Sequence, residues 1–244
     1  MPTKTLSIAT EDGHAEGFAA FPEGGGRHPG VLLYADGFGL RPVVRDLAGQ
    51  LAGHGYYVLV PHLFYRHGPA PVVELPAYLG GEERAAVFAR VLPLIEAHTA
   101  ERARKDADAY LAFLAAQPEV AAGPFAVTGY CVGGLLAVRA AAEHPGEVAA
   151  VAAFHAPVGA AGPGVHSALT ARVHLGHAEG DMTPEALDSL HEKLDAAGVD
   201  YTSEVYPGTR HGFTMADTDA FSATGFARHW DRLLPLLAGT LTGG

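Results

Sequence analysis

Apolar positions along the chain fall into two alternating kinds of segment. Residues 172–175 read as a strand, and short unbroken runs at 30–35, 56–60, 125–128 and 148–154 lack polar alternation. That pattern predicts strands buried on both faces. Between them lie longer stretches with helical spacing. In 43–54, Val44, Leu47 and Leu51 share a face, and Gly55 ends the segment. Residues 82–117 read as two helices with a break near Pro93 or further on, and 134–144 as a helix of small residues. In 184–197, Thr183 is placed to cap, Pro184 takes the first position and Gly198 closes the helix. Residues 219–237 form a last amphipathic segment, expected to be interrupted near Gly225 and Pro235. Residues 201–206 alternate as a further strand, and the chain opens on a hairpin, 5–9 and 15–21 around a turn at 11–13.

Strands alternating with helices predict an α/β protein: a mostly parallel, doubly wound sheet of about eight strands, with antiparallel strands added by the hairpin. Ligands in such sheets bind at the carboxyl ends of the strands. The length of 244 residues is compatible with one α/β domain. A net charge of −11 argues against nucleic acid and acidic membrane surfaces as partners. The longest apolar stretch, 148–158, is too short to span a bilayer. The first residues carry no apolar signal core, so a cytoplasmic location is expected. The 14 histidines are scattered, with no metal-ligand spacing, and no metal is expected.

The one cysteine changes this picture. Cys131 follows the run 125–128 in Gly-Tyr-Cys-Val-Gly-Gly (129–134) and precedes a helix. A nucleophile at such a strand-turn-helix elbow needs small residues two before and two after it, and Gly129 and Gly133 fill those places. The helix N-terminus favours thiolate over thiol. A buried, inert cysteine is the bland alternative. A dinucleotide-binding loop fits worse, because the second glycine of its pattern is missing.

A thiol nucleophile needs a base, and the base needs an orienting acid. Elbow-type hydrolases place them in the order nucleophile, acid, histidine. Asp181 follows the strand at 172–175, and His211 follows the strand at 201–206, so both fall on the rim where Cys131 points. Glu179 is the rival acid, and Asp181 could instead serve the helix beginning at Pro184.

Over nearly its whole length the chain resembles the dienelactone hydrolase family of α/β hydrolases. The resemblance rests on residues 129–134, on Ala-Asp-Gly-Phe-Gly-Leu-Arg (35–41), on Leu-Ala-Gly-His-Gly-Tyr-Tyr-Val-Leu-Val-Pro (51–61) and on His-Gly-Phe (211–213). It implies a single domain over 1–244, and a Cys131-His211-Asp181 triad acting on a small ester or lactone through a thioacyl-enzyme, without a cofactor. It implies an oxyanion hole from the Gly37 and Val132 N–H groups. Asp36 stands where the family usually has a glutamate that contacts the resting thiol. Arg84 falls in the region of one of the family's two carboxylate-binding arginines, and Met215 replaces the other, so neutral hydrophobic esters are expected to be accepted at least as well as anionic ones. Phe38, His155 and Phe213 are further candidates for substrate contact, with Tyr65 and Arg66 weaker ones. The rival reading is a non-catalytic binding or thiol redox-sensing protein on the same fold. The sequence leaves the oligomeric state open.

Overall fold

The structure, a computed structural model, describes residues 1–241. The hairpin strands are β1 (Thr3–Thr10) and β2 (Gly13–Ala20). They are followed by β3 (Gly30–Tyr34), β4 (Tyr57–Pro61), β5 (Phe125–Tyr130), β6 (Val148–Phe154), β7 (Arg172–Ala178) and β8 (Tyr201–Tyr206). They form one eight-stranded sheet in the order β1-β2-β4-β3-β5-β6-β7-β8. β1 and β2 pair antiparallel, as do β2 and β4, and every later pairing is parallel.

The unbroken apolar runs serve both faces of this sheet. Val31, Leu33, Val58 and Val60 pack on one side, against α1 (Pro42–Gly53) and α7 (Ala223–Leu241). Leu32, Tyr34, Leu59 and Val127 pack on the other, against α3 (Ala100–Ala115), α4 (Val132–Glu143) and α6 (Pro184–Ala196). Side chains that alternate between two buried layers are mostly apolar, which is why β3, β4 and β6 read as runs, while β7 carries the buried His174 and His177. No helix among the described residues is long and apolar enough to cross a membrane.

One helical expectation is met at its later position and another is corrected. The break in 82–117 comes further on than Pro93, which lies inside α2 (Gly81–Ala97). Both Pro93 and Ala89 are exposed, so the carbonyl deprived of its donor faces water. The break falls at His98–Thr99, where the Thr99 hydroxyl accepts from the Arg102 N–H at 3.3 Å and caps α3. The last helix starts at Ala223 rather than 219 and runs through Gly225 and Pro235 without interruption. Gly225 is there for closeness: a Cβ on it would stand 2.9 Å from the Phe213 ring.

Candidate active site

Cys131 joins β5 to α4 with φ 55°, one of two non-glycine residues with positive φ among those described. Such a conformation costs about 1–3 kcal/mol and persists only where the surroundings over-determine it. They do here: the Cys131 N–H donates to the Phe154 carbonyl at 3.0 Å. A Cβ on Gly129 would come within 2.2 Å of the Gly133 carbonyl oxygen. One on Gly133 would come within 2.1 Å of the Ala35 carbonyl oxygen. The elbow closes only with both glycines.

Asp181 lies past the end of β7 and His211 past the end of β8. Their side chains meet: His211 Nδ1 is 2.9 Å from Asp181 Oδ1. The other Asp181 oxygen accepts from the Ala178 N–H at 3.1 Å, which fixes the carboxylate. Glu179 accepts instead from the Gly208 N–H at 2.7 Å, and Thr183 caps α6, so neither competes for Asp181's place. Burial works against a charge on His211, but its contacts with Asp181 and the Cys131 sulfur outweigh that and push its pKa up to about 10.

Cys131 and His211 line a cavity of about 760 Å³. Gly37 and Val132 line it beside Cys131. Val132 is the first residue of α4, so its N–H has no partner in the helix. Asp36 and Phe38 also line the cavity, but the Asp36 carboxylate is committed elsewhere. It accepts from the Phe38 N–H at 3.0 Å and from the guanidinium of Arg41 through both oxygens. Arg41, only 5% exposed, also donates to Asp217 at 2.7 and 3.2 Å. One buried cation thus ties the loop carrying Gly37 to the segment following His211.

Arg84 lines the cavity from α2 and donates to the His211 carbonyl at 2.6 Å. His155 has φ 40°, is fully buried, and lies 2.8 Å from the Thr214 hydroxyl. Its ring packs edge-on against that of His211, centroids 5.1 Å apart. Burial, then the nearby positive groups, push its pKa well below the usual histidine range, so it is neutral.

Phe213 is corrected: it is fully buried against His155 and Tyr206 and does not reach the cavity. Gly212, at φ 94°, turns the chain so that the next side chain points into the core. Tyr65 and Arg66 are also remote from the cavity, engaged with Asp106, Thr10 and Asp12. Sequence reading missed Arg41, although it lies within the distinctive stretch 35–41, and missed the part of α2 that faces the cavity. Among the described residues, no cluster of three or more His, Cys, Asp or Glu is arranged to hold a metal ion.

The profile of the dienelactone hydrolase family matches residues 15–241. A provisionally named carboxymethylenebutenolidase of Methylorubrum extorquens is 26% identical over 238 residues, 93% of this chain and 78% of its own length. The carboxymethylenebutenolidase of Pseudomonas sp. strain P51 is 34% identical over 143 residues, 59% of this chain and 57% of its own. In fold, a crystal structure provisionally assigned as a dienelactone hydrolase from Klebsiella pneumoniae superposes with TM-score 0.83 at 21% identity, covering 97% of this chain and 98% of that one.

Proposed function

Because the chain belongs to the dienelactone hydrolase family of α/β hydrolases, we propose that it hydrolyses a small carboxylic ester or lactone, with Cys131 as nucleophile, His211 as acid and base, and Asp181 as orienter. One observation carries this reading: Asp181 holds the His211 ring beside a cysteine fixed in a strained elbow at a helix N-terminus.

The thiolate attacks the carbonyl carbon and the carbonyl π electrons move to oxygen. The N–H groups of Gly37 and Val132 stabilise that oxyanion; losing one such donor typically costs ~3–4 kcal/mol. Collapse expels the alkoxide, which takes the proton of the His211 imidazolium, and a thioester remains on Cys131. For a lactone the alkoxide stays attached to the acyl group as a free hydroxyl. His211, now neutral, takes a proton from water as the hydroxide attacks the thioester. Collapse releases the carboxylic acid and restores the thiolate beside the imidazolium. Asp181 accepts from Nδ1–H throughout, which keeps Nε2 available for these transfers.

Iodoacetamide tests the reading. Cys131 is the only thiol, so one carboxamidomethyl group added at neutral pH should remove activity on an activated ester in proportion to labelling. A native thiol that reacts only after denaturation, or turnover that survives Cys131→Ala, would overturn it.

A further inference from the structure

The cavity wall supplied by α2 has a composition that ester hydrolysis alone does not require. Of its 17 residues only Val87 and Val91 are buried. The residues turned to the cavity, Ala85, Phe88, Leu92 and Ile95, fall on a neighbouring stripe at helical spacing. Phe88 is 42% and Leu92 38% exposed, two of the few large apolar side chains left open among the described residues. Leu135 and Met215 continue the apolar surface behind the catalytic groups. An apolar stripe continuous with the nucleophile is a surface that a bound substrate removes from water.

The charges of the cavity point the same way. The lining contains two guanidiniums, Arg84 and Arg210, and both turn to Asp219 as well as to the backbone. Arg84 donates to the His211 carbonyl at 2.6 Å and lies 3.6 Å from Asp219. Arg210 donates to the Asp219 carbonyl oxygen and lies 3.9 Å from its carboxylate. Asp219 also accepts from the Gly81 N–H at 3.2 Å, which joins the start of α2 to this cluster. Asp36, the other carboxylate in the lining, is bound by Arg41. Neither cavity arginine is left without a carboxylate, and the overall charge of −11 disfavours the approach of an anion.

We propose that this site takes neutral esters or lactones bearing an apolar group of several carbons, which lies along the Ala85-Phe88-Leu92-Ile95 stripe of α2, and that Arg84 positions the His211 loop rather than binding a substrate carboxylate. The proposal rests on the ester-hydrolase reading above. The cavity's 760 Å³ gives it room, since volumes of this order enclose ligands much larger than an acetyl ester.

The test is kcat/KM for p-nitrophenyl acetate, butyrate, hexanoate and octanoate, with a hexanoate analogue ending in a carboxylate as the charged arm. Burying a methylene gives at most about fourfold per step. The expected result is a rise of at least about tenfold from acetate to hexanoate, with the charged analogue well below hexanoate. Leu92→Glu and Phe88→Ala, both at exposed positions, should each lower the hexanoate-to-acetate ratio several-fold. A flat chain-length profile, or ratios unmoved in both variants, overturns the proposal. A preference for the charged analogue overturns it too, and gives Arg84 or Arg210 the carboxylate. In those cases Cys131-dependent turnover of acetate still upholds the hydrolase reading. No turnover of any ester, with Cys131 inert to iodoacetamide, removes both.

Discussion

His211 and His155 stack edge to face, ring centroids 5.1 Å apart, yet they are held in opposite protonation states. His211 has 43% of its side chain exposed and a carboxylate on Nδ1. His155 is fully buried and meets only a hydroxyl through Nε2. It belongs to a buried layer in which His229 lies 3.0 Å from the Tyr130 hydroxyl, and His174 lies 2.7 Å from that of Thr202. Burial penalises the charged form in both regions; a partner of opposite charge is what reverses the outcome. The rim therefore favours a charged imidazole, and the layer beneath it favours neutral ones that serve as shaped filler.

The sharpest way to break this contrast is at the rim. Cys131→Ala and His211→Ala should each lower kcat/KM by roughly a thousandfold or more, and the double variant should be little worse, because groups that act as a unit are non-additive. Additive losses would mean that the two side chains work separately.

The orienting acid comes next. Asp181→Asn should reduce kcat by roughly a hundred- to ten-thousandfold, since an amide cannot hold the same tautomer or stabilise the imidazolium. Glu179→Gln, which alters only a loop contact, should stay within about threefold. Steady-state kinetics on one activated ester ranks the two, and the reverse order would move the orienting role to Glu179.

The two regions should also differ in how pH acts on stability. Burial depresses His174 to about 4 and His229 to about 3. The unfolded chain, near pH 6.5, binds protons that the folded one refuses. Their contribution is thus complete above pH 6.5 and lost as pH falls toward 4 and 3, on the order of several kcal/mol together. His211 has the opposite sign. Raised to about 10, its contribution is complete below pH 6.5 and is lost as pH rises through 10. Urea unfolding across the pH range should give a plateau with both flanks. His229→Phe should flatten the acid flank; an unchanged acid flank would mean the layer does not control it.

Only a modest catalytic effect is expected at His155 itself. His155→Phe keeps the stack under His211 but strands the Thr214 hydroxyl, costing about 1–3 kcal/mol of stability. Turnover should remain within about tenfold. A thousandfold loss of kcat at an unchanged melting temperature would make His155 part of the chemistry.

What was legible in the sequence follows from locality. The strands were readable because each residue of Val31-Leu32-Leu33 faces one of two buried layers. Cys131, Asp181 and His211 could be picked out because each sits next to a strand end. The last helix was misread at Gly225 and Pro235, where a close neighbour or exposure overrides the residue's usual breaking effect. Phe213 was misplaced because one glycine turn reverses the side its side chain takes. The Arg41–Asp217 contact spans 176 positions and leaves no periodic trace. The α2 stripe was hidden because Phe88, Leu92 and Ile95 look like any core-facing face until the helix is seen to bury a different one.

The Arg41 bridge also has a consequence in time. Synthesis delivers Asp36 and Arg41 early, but the second carboxylate emerges 176 residues later than Arg41. At about 5–20 residues per second, that is a delay on the order of ten seconds or more. Through that interval the loop that carries Gly37 has one anchor instead of two, and neither Asp181 nor His211 is present until late in it. Cys131 thus meets His211, and the Gly37 loop its second anchor, in the same late stretch of translation. The cavity beside Cys131 is completed as a single event, when residues 211–217 have folded back across the sheet.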